Sequence, residues 1–379
     1  MTGAVMASGG RDSGPGRRCR RRRARRPGWA AWACRYSVGI RRILLLAAAL
    51  LLLSPLLMLP GTRLTPETVT QPTRFPAARP AAIPPLGSGG PFSGVRLFTD
   101  PDNAAAVAAA AMSRSDPVGA ALLRKIASQP TAAWFGGWLP VGQVAGAVRA
   151  VLDAAAAEGS MPLLVLYAFP YQGCTQDPAA AVRYEHWIGQ AAAGIGTGRA
   201  VVILEPDALA EYVRLGCLPP AAQRYRLSLL HRAADQLASL PGSAVYLDAG
   251  NSRWQSASVM ASLLASAGVR EIRGFSLNVS NFHSTADEES YGGRISAQLG
   301  GKHFVIDTSR NGAATARTWC NPPGQALGMP PTANSGDPLV DALLWVKLPG
   351  SSDGTCNGGP AAGIFWPAYA LGLAADARW

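Results

Sequence analysis

From about residue 94 to its end, the chain alternates short apolar runs with longer Ala-rich stretches. The runs fall at 95–99, 132–136, 163–169, 200–204, 244–247, 274–279, 303–307 and 343–347. They are apolar at nearly every position rather than at every second one. A strand with both faces buried reads that way, which is the habit of parallel sheets covered by helices. The stretches 141–158, 179–195, 220–240, 255–267 and 290–300 predict helices between them. Seven or eight such strand–helix units predict an α/β fold of the (β/α) barrel kind rather than a doubly wound sheet. No Gly-x-Gly-x-x-Gly opens a helix after a strand, which argues against a dinucleotide-binding fold.

Upstream the pattern changes. Residues 43–59 form an apolar run of 17, broken only by Ser54 and Pro55, at the short end of the 17–25 residues or so that cross a bilayer. An Arg cluster precedes it, as the positive-inside rule requires. The Met58-Leu59-Pro60-Gly61 segment is a poor cleavage site for a signal peptide. The expectation is therefore a basic cytoplasmic segment (1–42), a membrane span or signal-anchor (43–59), a Pro-rich linker (60–93) and one domain (94–379). The domain is exported, held at the membrane facing outside, or secreted if the segment is cleaved.

Charge and cysteines refine this picture. The net charge of +12 is concentrated in residues 1–42, which hold twelve Arg against one acidic residue and leave only +1 for the rest. A basic leader is not a basic surface, so nucleic-acid binding is excluded. Cys19 and Cys34 precede the apolar run, whereas Cys174, Cys217, Cys320 and Cys356 follow it. An even number of cysteines in an oxidising compartment predicts two disulfides. None has Cys-x-x-Cys spacing, so no metal or other cofactor is implied. Nothing points to an obligate oligomer, and a monomer is expected.

The site of a parallel barrel forms at the C-terminal ends of its strands. Here those ends carry Trp134, Tyr167, Glu205-Pro206-Asp207, Asp248 with Asn251 and Trp254, Asn278 with Asn281, Asp307 with Arg310, and Lys347 with Asp353. Several carboxylates among indole rings suit acetal cleavage. One carboxyl protonates the leaving oxygen while a second group activates water or steadies the cationic centre. Each residue also has a plainer reading. Asp207 alone is a helix cap, Asp307 and Arg310 form a structural ion pair, Trp254 is core, and Trp319 packs on a disulfide.

Five segments in order sharpen the reading: Ile203-Leu204-Glu205-Pro206-Asp207-Ala208-Leu209, Val245-Tyr246-Leu247-Asp248-Ala249-Gly250, Ile306-Asp307-Thr308-Ser309-Arg310-Asn311-Gly312, Trp319-Cys320-Asn321-Pro322-Pro323-Gly324, and Leu344-Trp345-Val346-Lys347 through Ser352-Asp353-Gly354. Together they resemble glycoside hydrolase family 6, cellulases built on an incomplete (β/α) barrel, and look closest to its actinobacterial secreted members. The resemblance implies inverting, endo-type cleavage of β-1,4-glucan, a polysaccharide substrate and no cofactor. It implies Asp207 as general acid, Asp353 as the proposed base, Asp248 as a binding and structural carboxylate, and Tyr167 as a residue that helps distort the sugar. It further implies Trp134, Trp254 and Trp319 as sugar platforms, Lys347 as a hydroxyl ligand, and disulfides Cys174–Cys217 and Cys320–Cys356. Asn278 and Asn281 complete the expected substrate contacts.

The chain also departs from the family. Where the family reads Arg-Asp-Cys it has Gln172-Gly173-Cys174, followed by a shortened loop, and the usual His and Glu are Asn251 and Ser351. The missing Asp normally raises the acid's pKa, so its loss predicts an Asp207 that titrates lower. Asp177 is a candidate substitute. The alternatives are a catalytically impaired glucan-binding protein and a hydrolase of another polysaccharide.

Overall fold

A computed structural model describes residues 90–170, 177–214 and 218–379. The basic segment, the apolar run 43–59 and all but the end of the linker lie outside the described residues, as do Gln172, Gly173, Cys174 and Cys217. Among the described residues no helix is long and apolar enough to cross a membrane.

The elements run α1 (Ala104–Met112), α2 (Pro117–Ala127), β1 (Ala133–Gly136), α3 (Val141–Ala157), β2 (Leu163–Tyr167), α4 (Pro178–Ile195), β3 (Ala200–Leu204), α5 (Ala208–Arg214), α6 (Pro220–Ala238), β4 (Ser243–Asp248), α7 (Ala257–Ser266), β5 (Gly274–Leu277), α8 (Thr285–Gln298), β6 (His303–Asp307), β7 (Val340–Leu344) and α9 (Pro367–Ala375). Seven parallel strands form one sheet in chain order, β1 through β7. The sheet curls into an incomplete barrel. Its two edges meet where Ala132 N donates to Trp345 O at 3.2 Å and Trp134 Nε1 donates to Val346 O at 2.9 Å.

Strand alternation sets the two cores. Leu163, Val165, Val201, Ile203, Tyr246, Val305 and Leu344 fill the barrel interior with Phe92 and Met161. Their neighbours Leu164, Leu166, Val202, Leu204, Leu247, Phe304 and Ile306 pack outward under the helices. This is why the strands read as unbroken apolar runs.

Three expected strands are corrected. Residues 95–99 make only a single parallel bridge, Leu97 to Met161, before the chain turns at Asp100 to enter α1. The last strand ends at Leu344 rather than 347, because the Val346 and Lys347 amides are taken by the Asp307 carboxylate at 3.3 and 3.1 Å. The strand expected at 163–169 likewise stops at Tyr167, where the Ala168 and Phe169 amides turn to Glu205 at 3.0 and 2.9 Å.

Candidate active site

The site is built at the C-terminal ends of the strands. β3 runs straight into Glu205-Pro206-Asp207, and both acidic residues have positive φ, 50° and 74°. Non-glycine residues resist this region at a cost of about 1–3 kcal/mol each, so the surroundings must hold them there. Glu205 N donates to Leu166 O at 2.8 Å, and the buried Glu205 carboxylate accepts the amides that follow β2. Asp207 N donates to Asp248 Oδ2 at 3.0 Å, and Asp207 O accepts Glu211 N at 2.9 Å, opening α5. Asn278, Ser280 and Asn321, also at the mouth, share the strained conformation with φ of 63°, 60° and 45°.

Asp207 stands beside Tyr167, whose hydroxyl donates to its Oδ2 at a long 3.4 Å. Burial pushes the Asp207 carboxyl up to about 6, and the charges of Glu211 and Asp353 push the same way, while Tyr167 and Lys347 pull it down. The absence of the family's neighbouring Asp therefore does not leave this acid in the ordinary carboxylate range. Asp177 does not supply the missing charge. It caps α4, accepting Ala179 N at 2.9 Å, and pairs with Arg183 at 3.1 Å on the surface. That pairing holds its carboxyl below the usual range.

Asp248 is fully buried and accepts Gly250 N at 3.0 Å and Ser276 Oγ at 3.1 Å besides Asp207 N. Burial, then the Asp207 charge, pushes it up to about 8. It thus fixes the backbone of the acid as well as the turn after β4.

Asp353 has a different environment. Its Oδ2 accepts Arg310 at 2.8 Å and Asn321 N at 3.0 Å, and Lys347 Nζ lies 3.3 Å from Oδ1. Burial alone raises such a carboxyl, but Arg310 and Lys347 together outweigh it and hold Asp353 below the usual range. The expected Asp307–Arg310 pair is accordingly corrected. Arg310 pairs with Asp353, and Asp307 accepts Ser280 N and Ser309 N at 2.9 Å each, in addition to the amides after β7.

The aromatic residues sort by exposure. Trp134 is half-buried, edge-on to Tyr167 at 5.8 Å between centroids, with Lys347 Nζ 5.9 Å from its ring. Trp319 is 65% exposed beside the Cys320–Cys356 disulfide. Trp254 is partly buried against the outer core. Asn278 is fully buried, its amide holding His283 O and Asp307 O at 3.1 and 2.9 Å. Asn281 is half-buried and donates to Val279 O at 3.0 Å.

Sequence reasoning missed Glu211 and Trp138. Glu211 had a visible signal, lying four residues after Asp207 where a helix follows a strand. Trp138 also follows its strand end closely, but its approach to Tyr167 depends on how the chain turns there.

The profile of Glycosyl hydrolases family 6 matches residues 92–377. The chain belongs to this family. Endoglucanase A of Cellulomonas fimi is 46% identical over 262 residues, 68% of this chain and 57% of that protein. Endoglucanase 1 of Streptomyces halstedii is 40% identical over 304 residues, 76% of this chain and 92% of that protein. The endoglucanase Cel6 of Mycobacterium tuberculosis, solved with a thio-linked cellobioside, superposes with a TM-score of 0.70 at 44% identity, covering 76% of this chain and 98% of that one.

Proposed function

We propose that this family 6 protein hydrolyses internal β-1,4-glucosidic bonds of a cellulose-like glucan with inversion, Asp207 acting as general acid. The observation that carries the reading is a buried carboxyl, held up to about 6 beside Tyr167 at a strand end, in a mouth rimmed by Trp134 and Trp319. A carboxyl in that range is protonated in mildly acidic water and can donate to the leaving oxygen. The exposed Trp319 ring supports an open cleft and hence endo attack. The three relatives named above all carry endoglucanase names.

Asp353 is the carboxylate proposed to act on water. Its ion pairs make it weakly basic, so we assign it the orientation of water and the stabilisation of positive charge at the anomeric carbon more than outright proton removal. Lys347 and Arg310 are fixed by the same pairs. The disulfide Cys320–Cys356 supports an oxidising compartment and therefore export. Residues 43–59 are proposed to anchor the protein, which fractionation of membranes against culture medium would test.

The deciding experiment measures cleavage of a soluble β-1,4-glucan, with the anomeric form of the first product followed by NMR. Wild type is expected to release the α-anomer, and Asp207→Ala to lose about 10²–10⁴-fold in rate. If wild type binds glucan without cleaving it, and Gly173→Asp restores nothing, the glucan-binding alternative replaces this reading.

A further inference from the structure

Trp138 has no role in the site described so far, yet its placement is unusually determined. After β1 the chain makes a tight turn, Leu139 N donating to Gly136 O at 2.9 Å, with Trp138 inside it. The indole folds back over the end of the strand. A Cβ at Gly136 would lie 2.2 Å from a Trp138 ring carbon, so only glycine at 136 lets the ring lie there. The ring reaches Tyr167, centroids 6.4 Å apart and planes tilted by 49°. Tyr167 is thus bracketed by two indoles, Trp134 on one contact and Trp138 on the other. On its far side the turn is pinned by Trp187 Nε1 donating to Leu139 O at 3.2 Å, after which Pro140 leads into α3.

Trp138 remains 39% exposed. A large apolar ring that is rigidly held, half open to water and two contacts from the acid is more than the packing of Tyr167 needs. A β-linked glucosyl unit carries axial C–H bonds on both faces and hydroxyls at its edge. It can shed water from one face onto an indole while its hydroxyls stay solvated. We propose that Trp138 is a sugar-stacking residue that, with Trp134 and Tyr167, forms a glucosyl-binding site adjoining Asp207. The proposal rests on the endoglucanase reading and deepens it. Because the turn and Gly136 fix the ring before substrate arrives, little ordering cost is left for binding.

The test uses the full-length protein with cellotriose, cellotetraose and cellopentaose. Binding is measured in an Asp207→Asn background, and kcat and KM with Asp207 intact. Trp138→Ala is expected to raise Kd and KM about 3- to 10-fold while kcat stays within about twofold. Trp138→Phe is expected to recover most of the affinity. It should also lose a large share of the indole fluorescence change that cellotetraose produces in the Asp207→Asn parent, a signal that a structural role would not carry. A Trp138→Ala variant with the parent's thermal midpoint and an unchanged Kd overturns the proposal. So does a Trp138→Phe variant that keeps the whole fluorescence change, and this second readout decides the matter even if the alanine variant misfolds. Failure of the wild type to bind any of the three sugars would instead overturn the endoglucanase reading and this proposal with it.

Discussion

At the scale of single residues, the protonation of Asp207 is set by burial and by neighbours on three segments. Tyr167 comes from the end of β2, Glu211 from α5, and Lys347 and Asp353 from the segment after β7. With Asp207 as the general acid proposed above, kcat/KM for a soluble glucan is expected to fall as pH rises through about 6. The charge of Glu211 helps to keep the proton on, so in Glu211→Gln the descending limb should move to lower pH. An unmoved limb would show that burial alone sets it. Gly173 predicts an Asp207 that titrates lower than an acid with a carboxylate beside it; burial, which a sequence does not display, nonetheless holds Asp207 up to about 6. Asp307 and Arg310 teach the same lesson. They stand three apart in the chain, but the Arg310 partner lies 43 residues downstream, and no spacing rule could have paired them.

At the scale of elements, a recurring device ends the strands. Glu205 takes the amides beyond β2, Asp248 those of Asp207 and Gly250, and Asp307 those beyond β7. A buried amide without a partner costs about 1–3 kcal/mol, so these carboxylates stop each ladder where the mouth begins. Asp307→Ala is expected to lose about 3 kcal/mol or more by denaturant unfolding, because four amides lose their acceptor together. The Cys320–Cys356 bridge, spanning 36 residues, holds the segment carrying Trp319 and Asp353. Replacing both cysteines by serine should cost about 3 kcal/mol, read as a lower thermal midpoint. Most strands were legible because unbroken apolar runs are what a doubly covered parallel sheet demands. α1 was not, since Ala104–Met112 has hardly a polar position to set a period. The run at 95–99 had a strand's composition, and only the turn into α1 shows why it pairs at one residue.

At the scale of the whole molecule, the interior stores carboxyls that resist ionisation. Burial raises Glu205, Asp248 and Asp307 above their unfolded values. A group raised on folding stabilises fully below its unfolded pKa, and that contribution drains away as pH climbs through the folded one. For Asp248 the window runs from the ordinary carboxylate range to about 8. Asp353, lowered on folding, works in the opposite sense at acid pH. The thermal midpoint is therefore expected to decline from mildly acidic to mildly alkaline solution. A midpoint that rises over that interval would contradict the burial argument.

The order of the strands has a consequence for how the protein comes into being. Each strand lies beside the one made just before it, so the sheet can zip up in the order of synthesis, with little waiting for distant partners. The exception is the join between its ends. α1 and α2, the first helices among the described residues, pack with Trp345 and with Ala370, Leu373 and Ala374 of α9, so their cover is complete only when α9 emerges. Until then their apolar side stays open, and α9 serves as the latch whose arrival ends that vulnerable interval.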